Sequence, residues 1–327
     1  RAQALYQGTV DAVNLIRQRI GRHAIACDAT DAGVVWANWF RDPAVLRARQ
    51  RLLAEHFGVH WQWLDRQEMA HRIASERYTE GVYEANALHF DPLAYARGLA
   101  TAAAAGGARI HECSPAIALD RDGEVFARHV VLACGGYLAG LHREVDAGVL
   151  PIATYVMVTE PLGGRLDEVL RTRAAIYDTR FAFDYYRPLP DTRLLWGGRI
   201  SVFDRSPDAV RRLLRRDMLR VFPQLHDLRI ERAWSGLMSY ARHQMPQVGK
   251  VDEGLWLAQA FGGHGVAPTT FAGELLASAI AHGDPRWREM ADYGLVSALK
   301  PAGFAGAQLS YWWYQARDAW KDWREGR

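Results

Sequence analysis

Apolar positions along the chain alternate between two spacings. In "LYQGTVDAVNLIRQRI", Leu5, Val10, Val13, Ile16 and Ile20 recur near the helical period and predict a helix, and "GVVWANWF" predicts a strand after it. "DPAVLRARQRLLAEHFG" predicts an amphipathic helix from an Asp-Pro start to Gly58, and "DRQEMAHRIA" predicts another with an Asp start. From Asp91, "DPLAYARGLATAAAAGGARIHE" predicts an Ala-rich helix, a Gly-Gly stop and a short strand. In "EVFARHVVLACGGYLAGL", Val125 opens a short strand, and His129 to Cys134 predicts a strand buried on both faces. "IATYVMVTE", "FAFDYYRPL" and "LLWGGRIS" alternate like strands of a sheet with one face on a cavity, "RPLPDTR" is the turn between two of them, and Tyr185 and Tyr186 point to opposite faces. The pattern as a whole predicts an α/β protein of mixed α+β character.

Composition narrows this to a globular protein of one large or two ordinary domains, since 327 residues with 49% apolar content can bury a core. A net charge of +3 with no long basic block implies no nucleic-acid partner. Cys27, Cys113 and Cys134 are few and scattered without a C-x-x-C, which predicts neither disulfides nor a metal site, and a reducing, cytoplasmic setting. No apolar run is long enough to span a bilayer, and no signal peptide is visible. Starting at Arg1 without Met, the chain reads as a truncation.

Glycine carries the chemistry. "LWLAQAFGGHGVAPTTFAGELLA", residues 255 to 277, places Gly262, Gly263, His264 and Gly265 between a strand, Leu255 to Ala260, and a helix whose first turn suits Pro268. Such a turn lets backbone approach a ligand and aims the N–H groups and positive dipole end of the helix at it; a ligand-free tight connection is the alternative. Gly135 and Gly136 close the His129 to Cys134 run in the same manner, where a simple turn is again the alternative.

In order, "HVVLACGGY", "MPQVGKV" and "FGGHGVAPTTFAGELLA" resemble the FAD-dependent oxidoreductases of the D-amino-acid oxidase superfamily, and "SERYTEGVYEANALHFDPLAYARGLA", "FDYYRPLPDTRLLWGG" and "RAWSGLMSYARHQMPQVGKV" resemble its gamma-glutamylputrescine oxidase branch. The resemblance covers almost the whole chain. It implies FAD, a small amine or amino acid as substrate, hydride transfer from the C–N carbon to the flavin, and oxygen or another electron acceptor. Some members tether FAD through a cysteine, but here Cys134 lies in a predicted buried strand and no cysteine follows the GGHG turn, so noncovalent FAD is expected. The implied fold is an incomplete Rossmann-like FAD-binding domain over 1–27, 89–141 and 244–290, interleaved with a substrate domain over 28–88 and 142–243 on a mainly antiparallel sheet, then a helical tail over 291–327. Two departures stand out: nothing before Gly8 supplies the family's G-x-G-x-x-G unit, and "SPAIALDRDGE" is shorter than its β-meander. Without that unit the chain is expected to hold FAD weakly or not at all.

On this reading the cofactor contacts are Ala133, Gly135, Gly136, Gly262, Gly263, His264, Gly265 and Val266, with the turn before the helix stabilising charge at the flavin's N1 and O2. Tyr186, Arg187, Trp234 and Tyr240 are substrate-side candidates, Arg187, Arg199 and Arg242 are each candidates for gripping a substrate carboxylate, and His264, Tyr186 and Arg242 are catalytic candidates. Each has a plainer role: His264 as a packing or hydrogen-bonding group, Arg187, Arg199 and Arg242 as surface charges, Trp234 and Tyr240 as core aromatics. A non-catalytic remnant acting as a binding or scaffold protein is the alternative function. The tail "LSYWWYQARDAWKDWREGR" carries Leu309, Trp312, Trp313, Ala316, Trp320 and Trp323 on one stripe. That stripe reads first as docking on its own domain and second as a face for a partner or a membrane interface.

Overall fold

The computed structural model describes residues 2–120 and 125–326. In chain order the elements are α1 (Ala2–Arg22), β1 (Val34–Ala37), α2 (Ala44–Phe57), β2 (Gln62–Leu64), α3 (Arg66–Arg72), β3 (Gly81–Glu84), α4 (Pro92–Ala105) and β4 (Val130–Leu132). They continue as α5 (Arg143–Ala147), β5 (Leu150–Thr159), α6 (Arg165–Val169), β6 (Ala175–Asp178), β7 (Asp184–Pro188), β8 (Leu194–Ser201) and α7 (Pro207–Val221). The last are β9 (Ile230–Tyr240), β10 (Gln247–Asp252), β11 (Leu255–Gln259), α8 (Val266–His282), α9 (Arg288–Ala291) and α10 (Ala302–Arg324). This is a mixed α/β fold. Its chain divides into two compact units: Arg1–Cys27, Pro92–Ile152 and Leu237–Gly306 form one, and Asp28–Asp91, Ala153–Gly236 and Ala307–Arg327 the other. Residues 291–327, read from sequence as a separate tail, are shared between the two.

In the first unit β11 pairs antiparallel with β10 and parallel with β4. Helix α8 packs Ala272, Leu275 and Leu276 against Val248 of β10 and Trp256 of β11, with Leu5 of α1 and Phe271 joining that core. Gly8 lets α1 pack closely on α8, since a Cβ there would lie 2.3 Å from the Phe271 ring unless that ring moved.

The second unit holds an eight-stranded sheet of order β2-β3-β1-β6-β7-β8-β5-β9, in which β1 and β6 run parallel and the other assigned pairs antiparallel. One face lies under α3 and α7: Val35, Ile176, Tyr186, Trp196 and Met157 are buried there, with Phe222 edge-on to Tyr186 and Trp196. Register places Trp36, Tyr177, Tyr185 and Gly197 opposite one another on the other face. That face carries an aromatic row, Trp36 stacked on Tyr177 at 5.7 Å and Phe183 between Tyr177 and Tyr185, all half-buried.

Three expected strands differ. Residues 109–112 and 125–129 are irregular, and Val125 and Phe126 are 90% and 78% exposed, because no strand among the described residues pairs with them. The run from His129 to Cys134 shortens to β4, and Val131 is 43% exposed rather than buried, since nothing described covers that side of it. Residues 121–124, part of the shortened "SPAIALDRDGE" stretch and the start of the following one, lie outside the described residues.

Candidate functional site

The two glycine turns meet on one piece of backbone, the end of β9. Cys134 to Tyr137 makes a single 3-10 turn after β4, with Gly135 at φ +57 and the Tyr137 N–H donating to the Cys134 carbonyl at 3.0 Å. Gly136 admits no side chain: a Cβ would stand 2.9 Å from Leu237 Cβ and 3.0 Å from the Met238 carbonyl oxygen. The Leu237 N–H donates to the Tyr137 hydroxyl at 2.9 Å, tying the turn to β9.

From the other side, the Ala260 N–H donates to Ser239 Oγ at 3.0 Å and the Gly262 N–H to the Ser239 carbonyl at 2.9 Å. Gly262, at φ +61, lies against the Tyr240 ring, where a Cβ would be 2.9 Å from Cε1. A Cβ on Gly263 would stand 3.2 Å from the Tyr240 hydroxyl. Burial raises the pKa of that hydroxyl, and a backbone hydrogen bond at Gly263 opposes the rise. Tyr240 is therefore the wall that shapes the Gly-Gly turn.

Gly265 behaves differently from the expectation placed on a glycine here. Its φ is −85°, ordinary right-handed helix, and a Cβ would meet only Phe261 at 3.7 Å. It serves as the N-cap of α8 without a side-chain cap, so the N–H groups of Val266 and Ala267 have no capping side chain. Ala133, Gly263, His264 and Val266 are exposed around these turns. His264 keeps solvent access, and partial desolvation lowers its imidazole pKa. The turn thus presents open amides, a helix dipole and an apolar rim, a surface suited to an uncharged or anionic group with acceptor atoms.

The residues expected on the substrate side separate. Tyr186 is not at an open surface: it is 1% exposed, stacked on Trp196 at 4.3 Å, with its hydroxyl beside Tyr78 and a buried charge cluster. The reason is β-alternation, which gives Tyr186 to the helix-covered face and Tyr185 to the open one. Arg199 is likewise committed, gripping Asp217 with two bonds of 2.7 and 2.8 Å. Arg187 shares the Tyr185 face, half-buried, donating to the Phe90 carbonyl at 2.9 Å and meeting His89 Nδ1 at 3.2 Å. Burial lowers the pKa of both Arg187 and His89. Arg242 is exposed, as is Trp234 at 43%. Tyr185, with Tyr177 and Trp36, is not among the site residues expected from sequence; the register of β7 on β8, which seats the Tyr185 ring over Gly197, is what brings it into this face.

Behind Tyr186 lies a cluster the sequence pattern did not announce. Arg180 pairs with Asp178 at 2.6 Å and with Asp184, and its guanidinium stands 3.5 Å over the Trp39 ring. Burial raises the pKa of Asp184 to about 6 against the opposing pull of Arg180. A cavity of about 980 Å³ lined by Arg66, Arg77, Tyr78 and Arg220 opens on this helix-covered side, away from the aromatic row.

The profile of the DAO family, described as FAD dependent oxidoreductase, matches residues 1–279. The chain belongs to the DAO family. Among curated proteins, this DAO-family chain is 32% identical to the gamma-glutamylputrescine oxidoreductase of Escherichia coli K12 over 274 residues, covering 80% of this chain and 64% of that protein. It is 28% identical over 309 residues to the probable oxidoreductase OrdL of Haemophilus influenzae, covering 88% and 69%. The chain thus spans about two thirds of the length of the curated relatives it matches. Among solved structures, glycine oxidase from Geobacillus kaustophilus aligns with TM-score 0.71 and 19% identity over 84% of this chain and 77% of that one. L-Proline dehydrogenase from P. horikoshii aligns with TM-score 0.74 and 15% identity over 87% and 81%. Both show the shared fold.

FAD is the cofactor of the family. The residues of the DAO-family chain are compatible with such a group: Gly136 and Gly262 are held free of side chains by β9, and the uncapped start of α8 offers N–H donors beside them. No group of His, Cys, Asp or Glu among the described residues is arranged to hold a metal.

Proposed function

We propose that this chain binds the isoalloxazine end of FAD on its first unit and a small amine or amino acid on its second, and that the protein oxidises the substrate's C–N bond. The family's cofactor supplies a hydride acceptor for the carbon attached to nitrogen, leaving an imine that water hydrolyses. The chain's part is to hold and orient. The Val266 and Ala267 N–H groups and the α8 dipole would favour the negative charge that develops at the flavin's N1 and O2. Gly135, Gly136, Gly262 and Gly263 let backbone approach the ring, Tyr240 fixes the turn, and His264 contributes a neutral ring at its rim.

On the substrate side, the Trp36, Tyr177, Phe183 and Tyr185 row would give an apolar wall, and Arg187, which shares that face, is the candidate to meet a carboxylate. Arg242 and Trp234 are retained as accessible contributors. A γ-glutamyl amine is the leading substrate, supported by the 32% relative of that name. Oxygen or another acceptor reoxidises the cofactor, and the protein works in the cytoplasm.

The observation that carries this reading is the joint anchoring of both glycine turns on residues 237–240. It is tested by purifying the protein expressed from its complete reading frame, recording the flavin absorbance bands, and mixing it anaerobically with γ-glutamylputrescine, putrescine and glycine. Bleaching of the bands by one of these amines is the expected result. A protein that binds no flavin, or whose flavin no amine reduces, overturns the reading and favours a non-catalytic binding protein.

A further inference from the structure

The terminal helix docks with its polar face inward. In α10, Gln308 accepts hydrogen bonds from the Ser201 hydroxyl at 2.9 Å and the Val202 N–H at 3.0 Å, Asp318 accepts from the Phe181 N–H at 2.8 Å, and Asp322 pairs with Arg77 and Arg220. These three side chains are the buried ones of the helix, at 5%, 8% and 4% exposure. The opposite stripe points to solvent: Trp312, Trp313, Trp320 and Trp323 are 54%, 69%, 54% and 75% exposed, and Leu309 is 62% exposed. An amphipathic helix closing a domain turns its apolar stripe inward. Here turning it would strip three buried polar groups of their partners, so the outward indoles are fixed by the docking itself.

At about 250 Å² per tryptophan, the four expose on the order of 600 Å². That is the upper end of the roughly 300–600 Å² that the largest apolar patch on a monomer reaches, and such patches mark interaction sites. Charge decides what fits. Arg317 and Arg324, both exposed, edge the ridge; Arg324 lies 4.9 Å over the Trp320 ring, and Arg317 lies 4.8 Å over Tyr314 and reaches Asp318 at 3.4 Å. The acids turn the other way, Asp318 and Asp322 as described and Glu325 accepting from the Arg41 N–H at 2.8 Å.

A second copy laid ridge to ridge would gather four guanidiniums with no outward carboxylate on the stripe, over about 1,200 Å², the lower limit of a stable interface. A bilayer surface with anionic headgroups supplies both complements, an interfacial layer where indoles settle and phosphates for the arginines. We propose that the Trp312 to Trp323 ridge of α10 seats this protein peripherally on anionic lipid. The helix lies on the surface and does not cross it, in keeping with the absence, among the described residues, of a helix long and apolar enough to span. This stands independently of the proposed reaction.

The test is co-sedimentation of the full chain with phosphatidylcholine vesicles and with vesicles mixing phosphatidylcholine and phosphatidylglycerol, together with tryptophan emission. Pelleting with the anionic vesicles, a blue shift, and partial persistence in high salt are expected. Trp313→Ser/Trp320→Ser/Trp323→Ser is expected to keep its melting temperature and to bind about tenfold or more weakly, and Arg317→Gln/Arg324→Gln to lose the preference for anionic lipid. Absence of binding to either vesicle, or equal binding by the triple variant, overturns the proposal. So does a dimer that the triple variant disperses, which would assign the ridge to a second copy. Indoles shielded from acrylamide before vesicles are added would likewise overturn it, showing the ridge covered by the protein's own chain.

Discussion

Tyr240 and Gly262 are in contact across the turn, so closely that any side chain at Gly262 would strike the ring at 2.9 Å. The glycine also holds φ +61, which an L-residue with a β-branch adopts only under strain. Gly262→Val is therefore expected to cost roughly 2–3 kcal/mol of stability, from the left-handed backbone and the displaced ring together. Gly265→Ala, at φ −85 with its nearest contact at 3.7 Å, should change stability by less than about 0.5 kcal/mol. Urea unfolding of the two variants checks the contrast; equal losses would mean that the turn is not shaped by Tyr240.

The alternation of β7 separates a chemical role from a packing role. Tyr186→Phe removes a buried hydroxyl and is expected to alter stability by about 1 kcal/mol or less, with little effect on kcat/KM. Tyr185→Ala and Arg187→Ala act on the half-open face and are expected to raise KM for a carboxylate-bearing amine by about tenfold or more, a loss of ~1.4 kcal/mol of binding. Steady-state kinetics on all three settles which face meets substrate. A large kinetic defect in Tyr186→Phe with normal Tyr185→Ala would reverse the assignment.

Local signals were readable where a residue acts on its own neighbours. Gly58 ends α2 in the left-handed conformation and Asp65 starts α3, both as the sequence implied, and in the structure Glu68 completes a capping box with Asp65. The turns 135–136 and 262–265 were legible as turns, but which glycine is obligatory was not. That depends on Leu237, Met238 and Tyr240, far away in sequence. Likewise the alternation of Tyr185 and Tyr186 was visible, whereas Phe222 and α7 decide which side is closed. The tryptophan stripe was plain in the sequence, yet its direction follows from Arg77, Phe181, Ser201 and Arg220, which no local pattern connects to α10.

Asp184 makes stability depend on pH. Burial lifts its pKa to about 6, above the ordinary carboxylate value, so the folded chain holds this proton more tightly than the unfolded chain. Its contribution is then complete below about pH 4 and is lost as the pH rises through 6, on the order of 2–3 kcal/mol in the limit. Asp184→Asn should flatten the pH dependence of unfolding between about pH 4 and 6 relative to the parent. Chemical denaturation at intervals of pH tests this. A slope unchanged by the substitution would show that another group of the Arg180 cluster carries the titration.

Asp322 closes the circuit between the terminal helix and its own unit. Arg77 stands 3.8 Å over one ring, that of Trp39, which Arg180 and Arg220 also approach at 3.5 and 4.9 Å, and Asp322 is the carboxylate that binds both Arg77 and Arg220. Three guanidiniums around one indole repel each other, and the Arg77 side chain is only 9% exposed, so removal of this carboxylate leaves positive charge poorly compensated in low dielectric. Asp322→Ala is expected to destabilise by about 3–5 kcal/mol, the range for breaking a buried pair from one side. Arg77→Met combined with Asp322→Leu should recover much of that loss, because two apolar groups replace two charges that had to be desolvated. The double variant distinguishes an electrostatic latch from simple packing: if it is as unstable as Asp322→Ala alone, the helix is held by shape at this position rather than by the ion pair.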